Sequence, residues 1–197
     1  MSKISVPVSN AFAPQPLYLY GTYTADGRAN YGLFCWAGYF FTDSLKFVAF
    51  LCEDKLTRDR IRETKMFSAT VVTEELLPIA DFCGMHDGYT TDKSQMLPSE
   101  KGQKLDVPIP VAGKWTMELS VDEVLHPKEF PDSEVYICSI VNILADPALA
   151  SEEIPFAEKL KALCPVVTLG QKYVPILSNN GETAYPSWGE AMQTERA

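Results

Sequence analysis

Residues 17–23 (LYLYGTY) and 30–41 carry aromatic and aliphatic side chains at both alternating positions, with Asp26-Gly27 between them. An Asp-Gly pair between two such runs predicts a β-hairpin. Apolar residues on both faces predict strands covered on both sides, by a barrel interior on one and by a helix or a second subunit on the other. Residues 46–52 and 67–73 read as two further strands, the latter rich in Val and Thr. Residues 115–121 and 135–145 follow in the same character, and 166–169 with 173–176 form a closing hairpin.

Helical pattern is scarcer. Residues 55–65 are polar with Leu56 and Ile61 on one side and Thr57 as the expected N-cap. Residues 74–82 predict a short helix stopped by Gly84, with Pro78 as an interruption. Residues 155–163 predict another, opened by Pro155. Between 84 and 114 lies a long excursion punctuated by glycine and proline, a length usually reserved for functional or disordered loops. Many strands with few helices predict a mainly β barrel carrying peripheral helices.

A chain of 197 residues with 46% hydrophobic residues supports one well-buried core, so a single domain over 1–197 is expected, with its core over about 14–176 and a polar C-terminal extension over 178–197. No secretory signal and no bilayer-length apolar run is read, which points to a soluble, cytoplasmic protein. The five cysteines are odd in number and widely spaced, which disfavours a disulfide framework. Seventeen basic against twenty-six acidic residues give a net charge of −9, which repels nucleic acid and anionic membranes. Any bound phosphate must then be held by local donors.

Such donors cluster in two places. Lys55, Thr57, Arg58 and Arg60 open the 55–65 helix, where a hydroxyl and free amides suit an anion, although an ordinary capped, solvated helix reads the same way. Lys93 ends the loop GMHDGYTTDK, as a point charge for phosphate or as a solvated loop lysine. Trp36 offers either a buried structural indole or an aromatic plane beside a ring system. Asn30 either closes the hairpin or presents donor and acceptor to a heteroaromatic edge. Cys83 and His86 form a C-x-x-H pair without a second cluster, so no metal site is expected. No G-x-S-x-G context accompanies the serines, and hydrolase chemistry finds no support.

Five segments in order, PLYLYGTYTADGRANYGLFCWAGY, KLTRDRIRETKMFSATVV, GMHDGYTTDK, VYICSIVNI and PVVTLGQKYVPI, give the chain a resemblance to the flavin reductase-like family, in its flavoredoxin branch. The resemblance implies an FMN-binding split β-barrel of Greek-key type, assembled as a homodimer with FMN where two subunits meet. It implies that Asn30 and Trp36 lie near the flavin ring and its ribityl chain, that Thr57 and Lys93 contact FMN, and that Lys55 stands beside the phosphate. Cys35 occupies a position where a small hydroxyl residue is frequent. Asp87 replaces the serine of the family's Gly-x-x-Ser-Gly loop, Ser94 replaces an aromatic residue, and Pro131-Asp132-Ser133 stands where Gly-Asp-His is usual.

The activity so implied is an oxidoreductase that takes hydride from NAD(P)H onto FMN and passes electrons onward, with no catalytic acid or base residue required. The missing histidine and the acidic surface support a rival, an electron carrier reduced by a partner protein. A flavin-free binding module on the same barrel is the third reading. The pyridoxamine-phosphate oxidase branch fits less well, because the Asp92-Lys93 loop belongs with flavoredoxins.

Overall fold

The computed structural model describes residues 3–52, 54–129 and 131–176. The expected extension over 178–197 therefore lies outside the described residues. The chain runs β1 (Gln15–Pro16), β2 (Tyr18–Tyr23), β3 (Ala29–Phe34), β4 (Ala37–Phe41), β5 (Leu45–Cys52), α1 (Leu56–Thr64), β6 (Met66–Val71) and α2 (Leu77–Met85). It continues through β7 (Ser99–Lys101), β8 (Pro108–Pro110), β9 (Trp115–Leu125), β10 (Ser133–Ala145), α3 (Pro147–Ala150), α4 (Phe156–Leu163), β11 (Val166–Leu169) and β12 (Lys172–Pro175). The fold is mainly β, as the sequence pattern predicts.

Seven strands form the main sheet in the order β3-β2-β6-β9-β10-β5-β4, each neighbouring pair antiparallel. A three-stranded sheet, β1-β11-β12, and the small hairpin β7-β8 complete the strands. The β2–β3 turn holds Gly27 at φ 83, the left-handed region that glycine enters without penalty. Bulges in the β9–β10 ladder near Cys138 and Asn142 bend the thirteen-residue β10.

The interior is aromatic. Tyr20, Phe47 and Phe67 are fully buried with Leu119, Met117 and Cys138, and Ile61 of α1 enters the same cluster. Tyr20 stacks on Phe34 at 4.6 Å between ring centroids, and Phe67 lies tilted against it at 4.9 Å. The phenylalanine rings each contribute about 1.5–3 kcal/mol through burial. A second cluster lies on the outer side of β2 and β3, where Leu19, Tyr31 and Leu17 meet Leu76, Ala80 and Cys83 from the α2 region, together with Leu97 and Val166.

Strand register separates the faces of the other edge. Phe47 pairs with Cys138 and Tyr39, and Ala49 with Tyr136 and Ala37, all toward the interior. Phe50 pairs with Val135, Val48 with Ile137 and Gly38, and Val135 with Leu125, all on the outer face. There Trp36, Phe40, Phe50 and Leu125 are exposed.

Four local expectations are corrected. The apolar run 30–41 is two strands, not one: the chain breaks at Cys35-Trp36, so β3 and β4 lie at opposite edges of the sheet. The change of strand direction leaves no trace in the continuous hydrophobicity, which runs on through Tyr39, Phe40 and Phe41 although they are exposed. Thr57 is not the N-cap: Lys55 holds that position in extended backbone without a side-chain cap, and Thr57 lies within the first turn. Gly84 does not stop α2, which continues to Met85; Gly84 sits where a Cβ would meet Leu33 Cβ at 2.9 Å, so it serves close helix–strand packing. Pro78 falls in the first turn of α2, where a missing N–H costs nothing.

Candidate functional site

Three hollows adjoin one another along β3 and the segment after it. The first, about 150 Å³, is walled by the opening of α1, the end of α2 and the loop beyond, including Lys55, Thr57, His86, Asp87 and Lys93. The second, about 440 Å³, shares Leu33, Phe34, Gly84 and Met85 with it and reaches Cys35 and Tyr173. The third, about 620 Å³, shares Cys35 with the second and is lined mainly by apolar groups, among them Trp36, Phe50 and Val135.

The first hollow is built from donors. Helix α1 begins without a side-chain cap, so its first-turn amides lack an intrahelical acceptor and carry the positive end of the helix dipole. Thr57 is 4% exposed, and its Oγ1 accepts from Asn30 Nδ2 at 3.0 Å, which leaves the hydroxyl proton to be donated. Asn30 is itself buried and also donates to Thr22 Oγ1 at 3.4 Å. Two glycines permit this packing: a Cβ on Gly32 would stand 3.0 Å from Thr57 Oγ1, and one on Gly88 would stand 2.5 Å from Asn30 Oδ1.

Lys93 is 4% exposed, and its ammonium donates to the carbonyl oxygens of Tyr31 and Cys83, each at 2.8 Å. Two of three N–H groups are thus committed, leaving one for an acceptor in the hollow. Burial pushes the Lys93 ammonium below its ordinary range; Cys83 and Asp87 work against that, while the neighbouring Lys55 charge adds to it. Two cations that oppose each other's charge across one small space favour an anion between them.

The loop from His86 to Lys93 is tied down at several points. The Tyr89 hydroxyl donates to Asp59 of α1, and Arg28 of the β2–β3 turn pairs with Asp92 at 2.6 Å. Asp92 Oδ1 accepts from the Ser94 amide at 2.9 Å. His86 stacks on Phe82 with centroids 3.9 Å apart, and its Nδ1 lies 2.9 Å from the Phe82 carbonyl oxygen.

The predicted residues therefore divide. Lys55, Thr57 and Lys93 share the first hollow, and Asn30 stands behind it as the support of Thr57. Cys35 lines the second and third hollows, while Trp36 lines the third. Trp36 is 50% exposed and so is not a buried structural indole. Burial holds the Cys35 thiol above its ordinary range.

One residue of this region was missed by sequence reasoning. Glu134 lines the third hollow, is 4% exposed, and accepts from Arg62 Nη2 at 2.9 Å and from the Tyr136 hydroxyl. Burial raises its carboxyl, but those hydrogen bonds and the charges of Arg62 and Arg58 outweigh burial and hold it below the usual range. Its alternation in phase with Tyr136 and Cys138 was the available signal. Among the described residues, no group of three or more His, Cys, Asp or Glu side chains gathers as a metal site. No helix among them is long and apolar enough to cross a membrane.

No family model matches the chain, and no curated protein matches it. Solved structures do. A flavoredoxin from Methanosarcina acetivorans superposes with a TM-score of 0.81 at 20% identity, covering 98% of this chain and 100% of that one. The flavoredoxin of Desulfovibrio vulgaris (Miyazaki F) gives 0.80 at 22% identity, covering 95% and 98%. An FMN-binding protein from Thermus thermophilus, solved with bound p-hydroxybenzaldehyde, gives 0.73 at 19% identity, covering 94% and 98%. Together with the antiparallel seven-stranded sheet and its outlying helices, this likeness shows that the chain has the split-barrel fold of the flavoredoxins.

Proposed function

We propose that the chain is an FMN-binding oxidoreductase, with NAD(P)H as electron donor and an onward acceptor. The observation that carries this reading is the convergence of Lys55, Thr57 and Lys93 on one hollow at the uncapped start of α1. That donor set fits a phosphate monoester: a hydroxyl, first-turn amides and two ammonium groups, assembled in a chain whose net charge of −9 repels anions elsewhere. At about 150 Å³ the hollow is smaller than the ~300–1,000 Å³ of whole small-molecule sites, so it suits the tail of a larger ligand whose body extends along the adjoining hollows.

When bound, FMN supplies the redox chemistry at its ring. The chain's own residues bind and orient. Asn30 holds the Thr57 hydroxyl, the carbonyl oxygens of Tyr31 and Cys83 hold the Lys93 ammonium, and the tied loop shields both from water. Trp36 and Phe50 give the third hollow apolar walls suited to a planar ring. No side chain is assigned as a catalytic acid or base.

The bare apolar face of Trp36, Phe40, Phe50 and Leu125 supports a homodimer, in which a second copy covers the side of the sheet that this chain leaves open. The third hollow borders that face through Trp36 and Phe50, which agrees with a ligand placed where two subunits meet. The acidic surface also favours a second reading, an electron carrier that docks a basic redox partner.

The visible spectrum of freshly purified protein, with and without added FMN, tests the shared premise: yellow protein supports it, and colourless protein that takes up no FMN removes it. Anaerobic stopped-flow mixing with NADH and NADPH separates the two readings. Rapid bleaching of bound flavin supports the reductase; indifference to both nucleotides supports the carrier.

A further inference from the structure

The first hollow contains one group that works against its own chemistry. Asp87 stands on the same wall as Lys55, Thr57 and Lys93, and its charge is felt by the Lys93 ammonium. Its position is fixed rather than free: Oδ1 accepts from the Tyr89 amide at 2.8 Å, and its main-chain oxygen accepts from the Thr91 amide at 2.9 Å. The turn so formed is moored to α1 through Tyr89 and Asp59. Such a turn needs one acceptor oxygen at its first position, which Asn or Ser supplies as well as Asp. The negative charge is surplus to the turn.

Lys93 cannot swing out to neutralise that charge, because two of its N–H groups are committed to Tyr31 and Cys83. A phosphate ester bears about −1.5 to −2 charges at neutral pH. Placed among these donors it meets the fixed Lys93 ammonium, the Lys55 charge and one fixed anion, whereas an unphosphorylated flavin carries nothing for Asp87 to repel.

We propose that Asp87 is a specificity-determining residue, a carboxylate fixed on the cationic wall that weakens the preference for FMN over riboflavin and makes FMN an exchangeable ligand. The assignment rests on the flavin reading of the hollow. It makes this chain a protein that loads and releases FMN rather than one that keeps it through purification.

The test is parallel titration of FMN and riboflavin, followed by quenching of flavin fluorescence, with the parent protein, Asp87→Asn and Asp87→Ser. Asn keeps both the size and the turn acceptor while removing the charge, and Ser keeps a turn acceptor if Asn disturbs folding. Asp87→Asn is expected to tighten FMN about tenfold and to move riboflavin by less than about twofold, with the FMN gain shrinking as salt is raised. Asp87→Ser is expected to shift FMN in the same direction. Equal changes for both flavins, or FMN binding unchanged or weakened in the variants, overturn the assignment. Parent protein that binds neither flavin overturns the reading of the hollow itself, and the role of Asp87 falls with it.

Discussion

At the β3 edge of the main sheet the chain covers its own outer face, and at the β4 edge it does not. Leu19 and Tyr31, on the outer side of β2 and β3, are fully buried beneath Leu76, Ala80 and Cys83. Phe50 and Trp36, in the equivalent outer position toward β4, are 45% and 50% exposed. Both edges are written in aromatic and aliphatic residues, so composition alone does not distinguish them. The difference arises from cover supplied elsewhere in the chain: α2 and the loop beyond it fold back over β3, while Phe50 keeps about half of its surface open. The covered edge gains packed walls and with them the polar hollow; the bare edge keeps an exposed apolar surface.

Removing a residue under the cover of the β3 edge has the largest expected effect. Leu19→Ala is expected to cost about 2–5 kcal/mol of unfolding free energy, because the cavity lies in a packed layer that cannot collapse fully. Phe50→Ser, assayed at concentrations where the chain is monomeric, is expected to change stability by less than about 1 kcal/mol, since its ring is only half buried there. Denaturant unfolding measures both. Equal losses would mean that the two edges are finished alike.

The same Phe50 separates the edges by association. Phe50→Glu is expected to weaken a dimer by about 2 kcal/mol or more, shifting sedimentation toward the monomer, whereas Leu76→Ala leaves the association constant unchanged. A parent chain that sediments as a monomer at every concentration would leave the bare face without this role.

A smaller effect is expected at the polar hollow of the covered edge. Lys93→Met keeps the apolar stem while removing the charge, and is expected to weaken FMN by about 2 kcal/mol; Thr57→Ala is expected to cost about 1 kcal/mol. Turnover at saturating FMN should change less than affinity in both. FMN affinity equal to the parent's in these variants would count against the assigned hollow.

The smallest effect is a pH dependence of the loop tether. Hydrogen bonds from Ser94, and then from Arg28, lower the Asp92 carboxyl from 3.8 to about 2. A carboxyl lowered in the folded state stabilises above its unfolded value and loses that contribution as pH falls from about 4 to about 2. Asp92→Asn should therefore flatten that part of the acid limb of stability, read as midpoint temperature against pH. An unchanged limb would mean that the tether contributes nothing.

Most of the strands were legible because alternation and β-branched runs report burial directly, as in residues 46–52 and 166–169. The hairpin turn was legible because Gly27 needs a positive φ. The gathering of Lys55, Thr57 and Lys93 was legible only through resemblance and loop chemistry, since nothing in the spacing of residues 57 and 93 brings them together. The break at Cys35-Trp36 was hidden, because both sides of it are apolar. Gly84 read as a stop signal because its packing partner, Leu33, lies on a distant strand. Asn30 read either as the close of the hairpin or as a ring-edge contact; the fold adds that its Nδ2 donates to Thr57 and Thr22. Only the three-dimensional pairing shows that.

We propose that the donors at the start of α1 and on Lys93 hold the phosphate of a flavin. Titration of purified protein with FMN, with Lys93→Met alongside, tests it most directly. The expected result is saturable quenching of FMN fluorescence at one flavin per chain, weakened more than tenfold in the variant. Absence of quenching in the parent, or identical curves for both proteins, would contradict it.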